Sequence, residues 1–159
     1  MTTEFHSHRL PFDTFLDLVR NAPLISMDLI VETREGKILL GYRKNSPAKN
    51  TWFVPGGRIR KGETLDRAFA RITHEELGIA LDRAKAHFMG VFEHFYEDNF
   101  AELPGMATHY VVLAFRLTAP DELTLPAIQH SEFRWISAAA CAGDATVHPH
   151  TRAYFSAAP

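Results

Sequence analysis

The stretch GGRIRKGETLDRAFARITHEELGI, residues 56–79, decides how this chain of 159 residues folds. Residues 64–77 have the apolar spacing of a helix, and Gly78 is well placed to end it. At about 100° per residue, one stripe of this helix faces the core and consists of Leu65, Ala68, Phe69 and Ile72. Glu76 falls on the same stripe, where a carboxylate is costly unless a charge or a hydrogen-bond partner meets it.

Two interpretations of Glu76 follow from the residues alone. Either the helix end frays and the carboxylate reaches water, or the carboxylate serves a site formed with the preceding turn. Gly56-Gly57-Arg58 offers backbone that a ligand can approach closely, and its carbonyls can bind a hard cation. With Glu63 just before the helix, this pattern is typical of a site for Mg²⁺ and a diphosphate. Glu75 lies four residues after Arg71, and we expect an ion pair between them.

The rest of the chain is predicted to consist of short strands and helices around this stretch. Strands are predicted at residues 24–32, 38–43, 52–55, 88–94, 109–117 and 132–136, with a turn at 34–37 and with Gly56-Gly57 ending the third strand. Further helices are predicted near residues 12–19, 137–141 and 151–157. Because strands and helices do not alternate regularly, the predicted fold class is α/β in the α+β sense, a mixed sheet packed between helices.

The amino-acid composition limits the classes of protein to which this chain can belong. With 46% hydrophobic residues the chain can bury one core, and we predict a single domain over residues 1–159. One cysteine, Cys141, excludes an intrachain disulfide scaffold. The 17 basic and 19 acidic residues do not indicate a nucleic-acid partner, and no apolar run approaches the roughly 20 residues of a membrane span. Since the polar N-terminus does not resemble a secretory signal, we expect a cytoplasmic protein without a membrane partner.

Residues 57–79 resemble the signature of the Nudix hydrolase superfamily. This Nudix box is a glycine, five residues, a glutamate, seven residues, then Arg-Glu-apolar-any-Glu-Glu-any-Gly-apolar, and the matching residues are Gly57, Glu63, Arg71, Glu75, Glu76, Gly78 and Ile79. The resemblance implies the Nudix α/β/α sandwich with a mixed central sheet. In that fold the box forms a loop–helix–loop that holds Mg²⁺ beside a nucleoside diphosphate.

One position departs from the box, because Ile72 stands where a glutamate normally follows the arginine. Isoleucine cannot bind a metal, so we expect a smaller metal cluster that depends on Glu76. The loss would cripple an enzyme that activates water on the metal to attack phosphorus. The chain also resembles the GDP-mannose mannosyl hydrolase subfamily, which cuts at the sugar carbon instead, through segments at residues 23–28, 52–58, 94–96, 108–113, 129–130 and 152–155.

The subfamily resemblance implies Mg²⁺-dependent hydrolysis of GDP-mannose, or of another GDP-hexose, to GDP and free sugar by C1–O cleavage with inversion. The implied metal ligands are the Gly56 carbonyl, Glu76 and the Gln129 side chain, a set of hard oxygen donors that suits Mg²⁺ and also allows Mn²⁺. His130 is the implied catalytic base, since an imidazole has a pKa near neutrality.

The resemblance also implies how the substrate is bound. Arg43, Arg58 and Arg71 are the implied catalytic arginines, whose guanidinium groups suit diphosphate oxygens or leaving-group charge. The implied substrate contacts come from Asp28, His94 and Tyr110, together with Arg43 and Arg58. Structural alternatives stay open: an ion pair with Glu75 for Arg71, and an ion pair with a facing arginine for Asp28. Arg43 and Arg58 could also be surface or ion-paired residues, and His130 a surface or structural histidine.

Two other functions stay open. The first is a Nudix phosphoanhydride hydrolase acting on another nucleoside diphosphate derivative, which Ile72 disfavours and Glu75 partly favours. The second is a catalytically inactive nucleotide-sugar sensor, which the retained Glu76, Gln129 and His130 disfavour. The subfamily resemblance further implies a homodimer, with a small-molecule nucleotide sugar as the other partner.

Overall fold

The computed structural model describes residues 9–125 and 130–156, with the backbone alone for His130 and Ser131. The strands are β1 Leu24–Glu32, β2 Lys37–Arg43, β3 Trp52–Phe53, β4 Gly56–Arg58, β5 His87–Tyr96, β6 Thr108–Thr118 and β7 His130–Ser137. The α-helices are α1 Phe12–Asn21, α2 Leu65–Leu77, α3 Ala138–Gly143 and α4 Pro149–Arg152. No helix within the described ranges is both long and apolar enough to cross a bilayer.

Strand β1 organises the sheet, whose order is β3-β2-β1-β6-β5. It runs parallel to β6 and antiparallel to both β2 and β4, while β7 pairs antiparallel with β2. One parallel pair among antiparallel ones makes the sheet mixed, so the predicted fold class is confirmed. The predicted hairpin between β1 and β2 is also present, with the Gly36 N–H donating to the Thr33 carbonyl over 2.9 Å.

Helices cover both faces of the sheet, which gives an α/β/α sandwich. On one face, Phe69 of α2 belongs to a buried cluster with Leu29 of β1. On the other face, Cys141 of α3 and Tyr154, just after α4, form a second cluster with Ile30. Because consecutive residues of β1 point to opposite faces, that strand supplies both cores and has an apolar residue at most of its positions.

Helix α2 has the ends that its sequence predicts. The Thr64 hydroxyl accepts a hydrogen bond from the Arg67 N–H, which satisfies one of the free donors of the first turn. Gly78 ends the helix in the left-handed region with φ of +77°, and a Cβ at this position would lie 2.6 Å from the Thr124 carbonyl oxygen. Glycine is therefore required there for both backbone conformation and space.

The predicted core stripe of α2 is confirmed for three residues and wrong for one. Ala68, Phe69 and Ile72 are each 0% exposed, whereas Leu65 is 42% exposed. Leu65 is the first residue of the helix, which begins before it reaches the sheet. Glu76 is 6% exposed, so the expected inward carboxylate is present and does not hang in water from a frayed end.

The glycine turn differs from its prediction. The third strand is shorter than predicted, Trp52–Phe53, and the two glycines do not break the sheet but begin β4. Gly56 and Gly57 pair antiparallel with Asp28 and Met27 of β1. A Cβ on Gly56 would lie 2.4 Å from the Met27 carbonyl oxygen, so glycine here permits close packing of two backbones.

The C-terminal helix is also shorter than predicted. The prediction covered residues 151–157, whereas α4 is the single turn Pro149–Arg152. Pro149 occupies the first turn, where its fixed φ favours helix initiation, and the His148 side chain accepts from the His150 N–H. His148 and His150, predicted to be loop residues, therefore begin a helical turn that packs against the sheet.

Candidate active site

One continuous cleft lies where β1, β4 and β5 meet. Its inner part has a volume of about 240 Å³ and its outer part about 560 Å³. The two parts share the lining residues Phe15, Arg43, Pro47, Gly56, Gly57, Arg58 and Tyr110. Asp28, His94 and Tyr96 line the inner part, while Arg60, Arg71, Glu75 and Glu76 line the outer part. The cleft thus brings together most of the site residues that the sequence predicts.

Asp28 is buried at the back of the inner cleft. Its Oδ2 accepts a hydrogen bond of 2.6 Å from the Tyr154 hydroxyl, whose oxygen lies 3.4 Å from His94 Nε2. Burial raises the pKa of Asp28 to about 7, against the opposing effects of the Tyr154 hydrogen bond and the Arg43 charge. The predicted alternative of a direct ion pair is not the arrangement found, since the partner that donates to Asp28 is a tyrosine.

His94 is 4% exposed and packs in a cluster of imidazoles. Its ring stacks on that of His150 at 4.3 Å, and the His148 ring lies 4.7 Å from that of His150. Burial, followed by the neighbouring His150 and His148, lowers the pKa of His94 to about 3. His94 is therefore neutral near pH 7 and offers a substrate a hydrogen bond, not a positive charge.

The two arginines predicted to bind diphosphate both line the cleft. Arg43 donates from Nε to the Pro47 carbonyl over 3.0 Å, which fixes the base of its side chain. Arg58 lies over the Phe15 ring at 4.8 Å, a cation–π contact. Burial lowers the pKa of Arg58, but a guanidinium stays charged in proteins. Tyr110 lies in the same wall, and burial raises the pKa of its hydroxyl.

Arg71 is the centre of an ion-pair network behind the glycine turn. It contacts Glu63 through two nitrogens, donates from Nη1 to Glu75 over 3.0 Å, and donates from Nη2 to the Arg58 carbonyl over 2.9 Å. The expected pair with Glu75 is therefore present. Arg60 also donates to Glu75, over 3.3 Å. Both Glu63 and Glu75, the other two carboxylates of the box, are thus engaged by arginines.

Nudix hydrolases generally use divalent metal ions such as Mg²⁺, and the residues of the outer cleft fit such an ion. The buried Glu76 carboxylate lines the same space as Gly56, and carboxylate and carbonyl oxygens are the donors that Mg²⁺ prefers. In the described part of the chain, no group of three or more His, Cys, Asp or Glu residues is arranged to hold a metal. A metal here would therefore take few protein ligands and complete its shell with substrate oxygens and water.

Ile72 occupies the core and does not face the cleft. It is 0% exposed, and its Cγ1 would be 3.1 Å from a Cβ at Gly57. The side chain therefore supports the underside of the glycine turn at the position where the usual box has a glutamate. A carboxylate in this pocket would need a cation or a hydrogen-bond donor to offset its burial.

Two predicted site residues fall at the margin of what the structure describes. Gln129 lies outside the described residues, and for His130 only the backbone is described. That backbone pairs with Arg43 where β7 meets β2, beside a bulge in the register. Since Arg43 lines the cleft, the chain passes the site at the predicted base, while the roles of both side chains stay predictions.

Sequence reasoning missed several residues of the site. Phe15 falls within the predicted helix near residues 12–19 and was not a site candidate, yet it lines both parts of the cleft. Tyr96 was detectable, because residues two apart in a strand share a face and His94 was already a candidate. Tyr154 lies in the 152–155 segment of the subfamily resemblance, but no local signal indicated its contact with Asp28, which is 126 residues away in the chain.

Among α/β/α sandwiches, a glutamate-bearing helix beneath a glycine turn of this spacing defines the Nudix class. The family model described as the NUDIX domain matches residues 23–157. The chain therefore belongs to the Nudix family, and it is a hydrolase of the class that acts on nucleoside diphosphate derivatives.

Two curated relatives illustrate the range of this family. The low-salt glycan biosynthesis protein Agl8 of Haloferax volcanii is 41% identical over 127 residues, which cover 79% of this chain and 78% of that protein. The ADP-ribose pyrophosphatase of Methanocaldococcus jannaschii is 42% identical over only 57 residues, 36% of this chain and 33% of that protein.

Solved structures are similar over most of the chain. The MutT NUDIX hydrolase of Burkholderia pseudomallei is 27% identical with a TM-score of 0.65, over 84% of this chain and 95% of that one. The MutT protein of Methanosarcina mazei Go1 has a TM-score of 0.66 over 84% of this chain and 91% of that one, at 22% identity. The second likeness concerns the fold alone.

The buried imidazoles predict how stability depends on pH. Burial, and then the neighbouring His150, lowers the pKa of His148 from 6.5 to about 4. In the unfolded chain this imidazole takes up a proton below about pH 6.5, whereas in the folded chain it stays neutral down to about pH 4. Acidification in this window therefore costs stability. Replacing His148 by Phe should reduce that loss by about 1 kcal/mol between pH 7 and pH 5, as measured by urea unfolding.

The quantity to compare is how the free energy of unfolding changes with pH. A difference between the proteins that is the same at every pH reports only repacking around residue 148. His87→Phe, which alters an exposed histidine at the start of β5, serves as the matched control. Parallel stability curves for His148→Phe and the unchanged protein would contradict the assignment of a neutral, half-buried His148.

Proposed function

We propose that this protein hydrolyses a nucleotide sugar, GDP-mannose or another GDP-hexose, to GDP and free sugar by cleavage of the C1–O bond. The observation that carries the proposal is the burial of Ile72 beneath Gly57. A Nudix enzyme that attacks phosphorus places a carboxylate at that helix position to help activate water. Here isoleucine fills that position, and Glu63 and Glu75 are engaged by Arg71, which favours chemistry at a different atom.

Departure of GDP requires that charge on the leaving diphosphate be neutralised. Glu76, the Gly56 carbonyl and the Gln129 side chain would hold Mg²⁺, or Mn²⁺, and the bound ion would supply part of that neutralisation. Arg43 and Arg58 line the cleft on both of its parts and are suited to pair with phosphate oxygens. With a stabilised leaving group, cleavage does not need a strong general acid at the glycosidic oxygen.

The incoming water needs a base on the sugar side of the site. We assign this role to His130, whose backbone lies beside Arg43. Neutral imidazole takes one proton from water as the oxygen bonds to C1 and the C1–O bond to GDP breaks. A single displacement of this kind inverts the configuration at C1.

The other predicted site residues fall into two groups, those assigned to contact the substrate and one that holds the glycine turn. Asp28, His94 and Tyr110 line the inner cleft and are assigned to substrate contact. For Arg71, the contacts with Glu63 and the Arg58 carbonyl favour a role in holding the glycine turn over direct contact with the leaving group.

The relative with the longer match supports a sugar-bearing substrate, because its name places that protein in glycan biosynthesis. The shorter match, to an ADP-ribose pyrophosphatase, keeps cleavage at phosphorus as the competing outcome. Glu75, which partly favours that alternative, is engaged by Arg71 and Arg60. A cytoplasmic location and a single domain over residues 1–159 stay predictions.

Hydrolysis in ¹⁸O-water tests the proposal directly. The protein is incubated with GDP-mannose and Mg²⁺, and the products are analysed by mass spectrometry. We expect the label in the hexose and none in GDP, because water attacks carbon. Label in GMP or in mannose 1-phosphate would instead establish attack at phosphorus, and the absence of any product with GDP-hexoses would favour the sensor.

His130→Gln tests the assigned base. The variant should lower kcat by about 10²- to 10⁴-fold, the usual contribution of a general base, with a much smaller change in KM. His87→Gln is the control, since it alters an exposed histidine outside the cleft. Unchanged turnover of His130→Gln would remove the assignment of the base and leave the rest of the site intact.

We also propose that the protein is a homodimer. Strand β5 lies at one edge of the sheet, and Val91 and Phe95 on one face of it are 59% and 61% exposed. The register places Ile25, 50% exposed, on that same face through Val111. Helix α2 covers only the other end of this face, which leaves a surface of three exposed apolar side chains and the exposed Glu93 that a second copy would cover.

Light scattering after gel filtration checks the dimer. Val91→Lys with Phe95→Lys should convert a dimer into a monomer, because two charges would be buried at the interface. Leu65→Lys, on an exposed apolar residue of α2 outside the patch, is the control and should stay dimeric. A monomeric unmodified protein, or a dimeric double variant, would contradict the proposal.

A further inference from the structure

The C-terminal segment supplies the inner cleft with a contact that no part of the Nudix box contains. Tyr154 is 9% exposed, and its ring packs edge-on against Phe92 with centroids 4.9 Å apart. Its hydroxyl projects toward the sheet and donates to Asp28 Oδ2 over 2.6 Å. An O–H···O distance of 2.6 Å is at the short end of the range for such bonds, so the hydroxyl holds this carboxyl group closely.

The Tyr154 hydroxyl has a second polar neighbour. Its oxygen lies 3.4 Å from His94 Nε2, a longer contact than the one to Asp28. One hydroxyl thus contacts two residues that line the cleft.

The segment that carries Tyr154 is fixed to the strands in front of the glycine turn. The His148 N–H donates to the Trp52 carbonyl over 2.9 Å, and the Val54 N–H donates to the Thr151 hydroxyl over 3.4 Å. Thr151 is fully buried. The position of the hydroxyl is therefore set by the same strands that lead into Gly56.

We propose that Tyr154 is a positioning residue of the active site, whose hydroxyl holds the Asp28 carboxylate in the orientation that binds the nucleotide. The inference rests on the proposed function only in that Asp28 contacts the substrate. Asp28 Oδ1 lies beside Gly56, as shown by its distance of 2.8 Å from a Cβ placed there. With Oδ2 held by tyrosine, Oδ1 is directed to the β4 side of the cleft. Without the hydroxyl the carboxylate can rotate, and binding then requires that it be ordered again.

A double-mutant cycle between Tyr154→Phe and Asp28→Ala tests this. Phenylalanine keeps the ring packing and removes only the hydroxyl. We measure the Kd of GDP with Mg²⁺ by calorimetry, and kcat and KM for GDP-mannose. Tyr154→Phe alone should weaken GDP binding about 10-fold, in keeping with the loss of one hydrogen bond. In the Asp28→Ala background the same change should alter the Kd less than 2-fold, because no carboxylate is left to orient.

Several outcomes would overturn the proposal. A purely structural hydroxyl would lower the unfolding temperature while leaving the Kd unchanged, or would weaken binding equally in both backgrounds. Tyr42→Phe is the matched control, since Tyr42 contacts Trp52 and does not line the cleft, and its Kd should stay within 2-fold. Asp28→Asn replaces Asp28→Ala in the cycle if the alanine variant does not fold.

The cycle also separates this proposal from the proposed function. If GDP-mannose is not cleaved but nucleotide binding shows the coupling, the positioning role stands and the substrate assignment fails. If GDP-mannose is cleaved but the two substitutions show no coupling in nucleotide binding, the proposed function stands and the positioning role of Tyr154 fails. A protein that binds neither GDP nor ADP in the presence of Mg²⁺ would overturn both.

Discussion

The close pairing of β4 with β1 is the constraint on which the site depends. Gly56 lies opposite Asp28 so closely that any side chain at residue 56 would collide with the Met27 backbone. This contact brings the glycine turn, with its carbonyls and Arg58, against a carboxylate of the central strand. It also sets Gly57 directly over Ile72 of α2. Sheet, turn and helix therefore cannot shift separately, and the cleft has a fixed width where substrate charge must be placed.

The charged side chains behind the glycine turn form one ion-pair network around Arg71. Arg71 is almost fully buried and contacts Glu63, Glu75 and the Arg58 carbonyl. Removing one partner of such a network leaves a buried charge, whereas the intact network holds the backbone of the turn. Two of the three carboxylates of the box are thereby committed to structure. Glu76 lines the outer cleft together with Arg43 and Arg58, so carboxylate and guanidinium groups face the same space.

How far the sequence predicts this molecule depends on the range of the interactions involved. Helix α2, its end at Gly78 and the inward Glu76 are local consequences of periodicity and of that glycine, and they were predicted. The participation of Gly56 in a strand was not, because a glycine pair is normally a break and only the neighbouring β1 makes it a ladder partner. The contact of Tyr154 with Asp28 spans 126 residues and depends on how the whole sandwich closes, so no pattern within the chain indicates it.

The cleft therefore has two ends of different origin, and this bears on specificity within the family. The outer end is formed by the box, through Glu76 and the glycine turn. The inner end is formed by Asp28, His94 and Tyr96, with Tyr154 and the histidines of the α4 turn behind them. Under the proposed function the outer end holds the diphosphate, which all nucleoside diphosphate derivatives share, so we expect the inner end to discriminate among these derivatives. The C-terminal segment, which lies outside the box, would then take part in substrate selection through Tyr154.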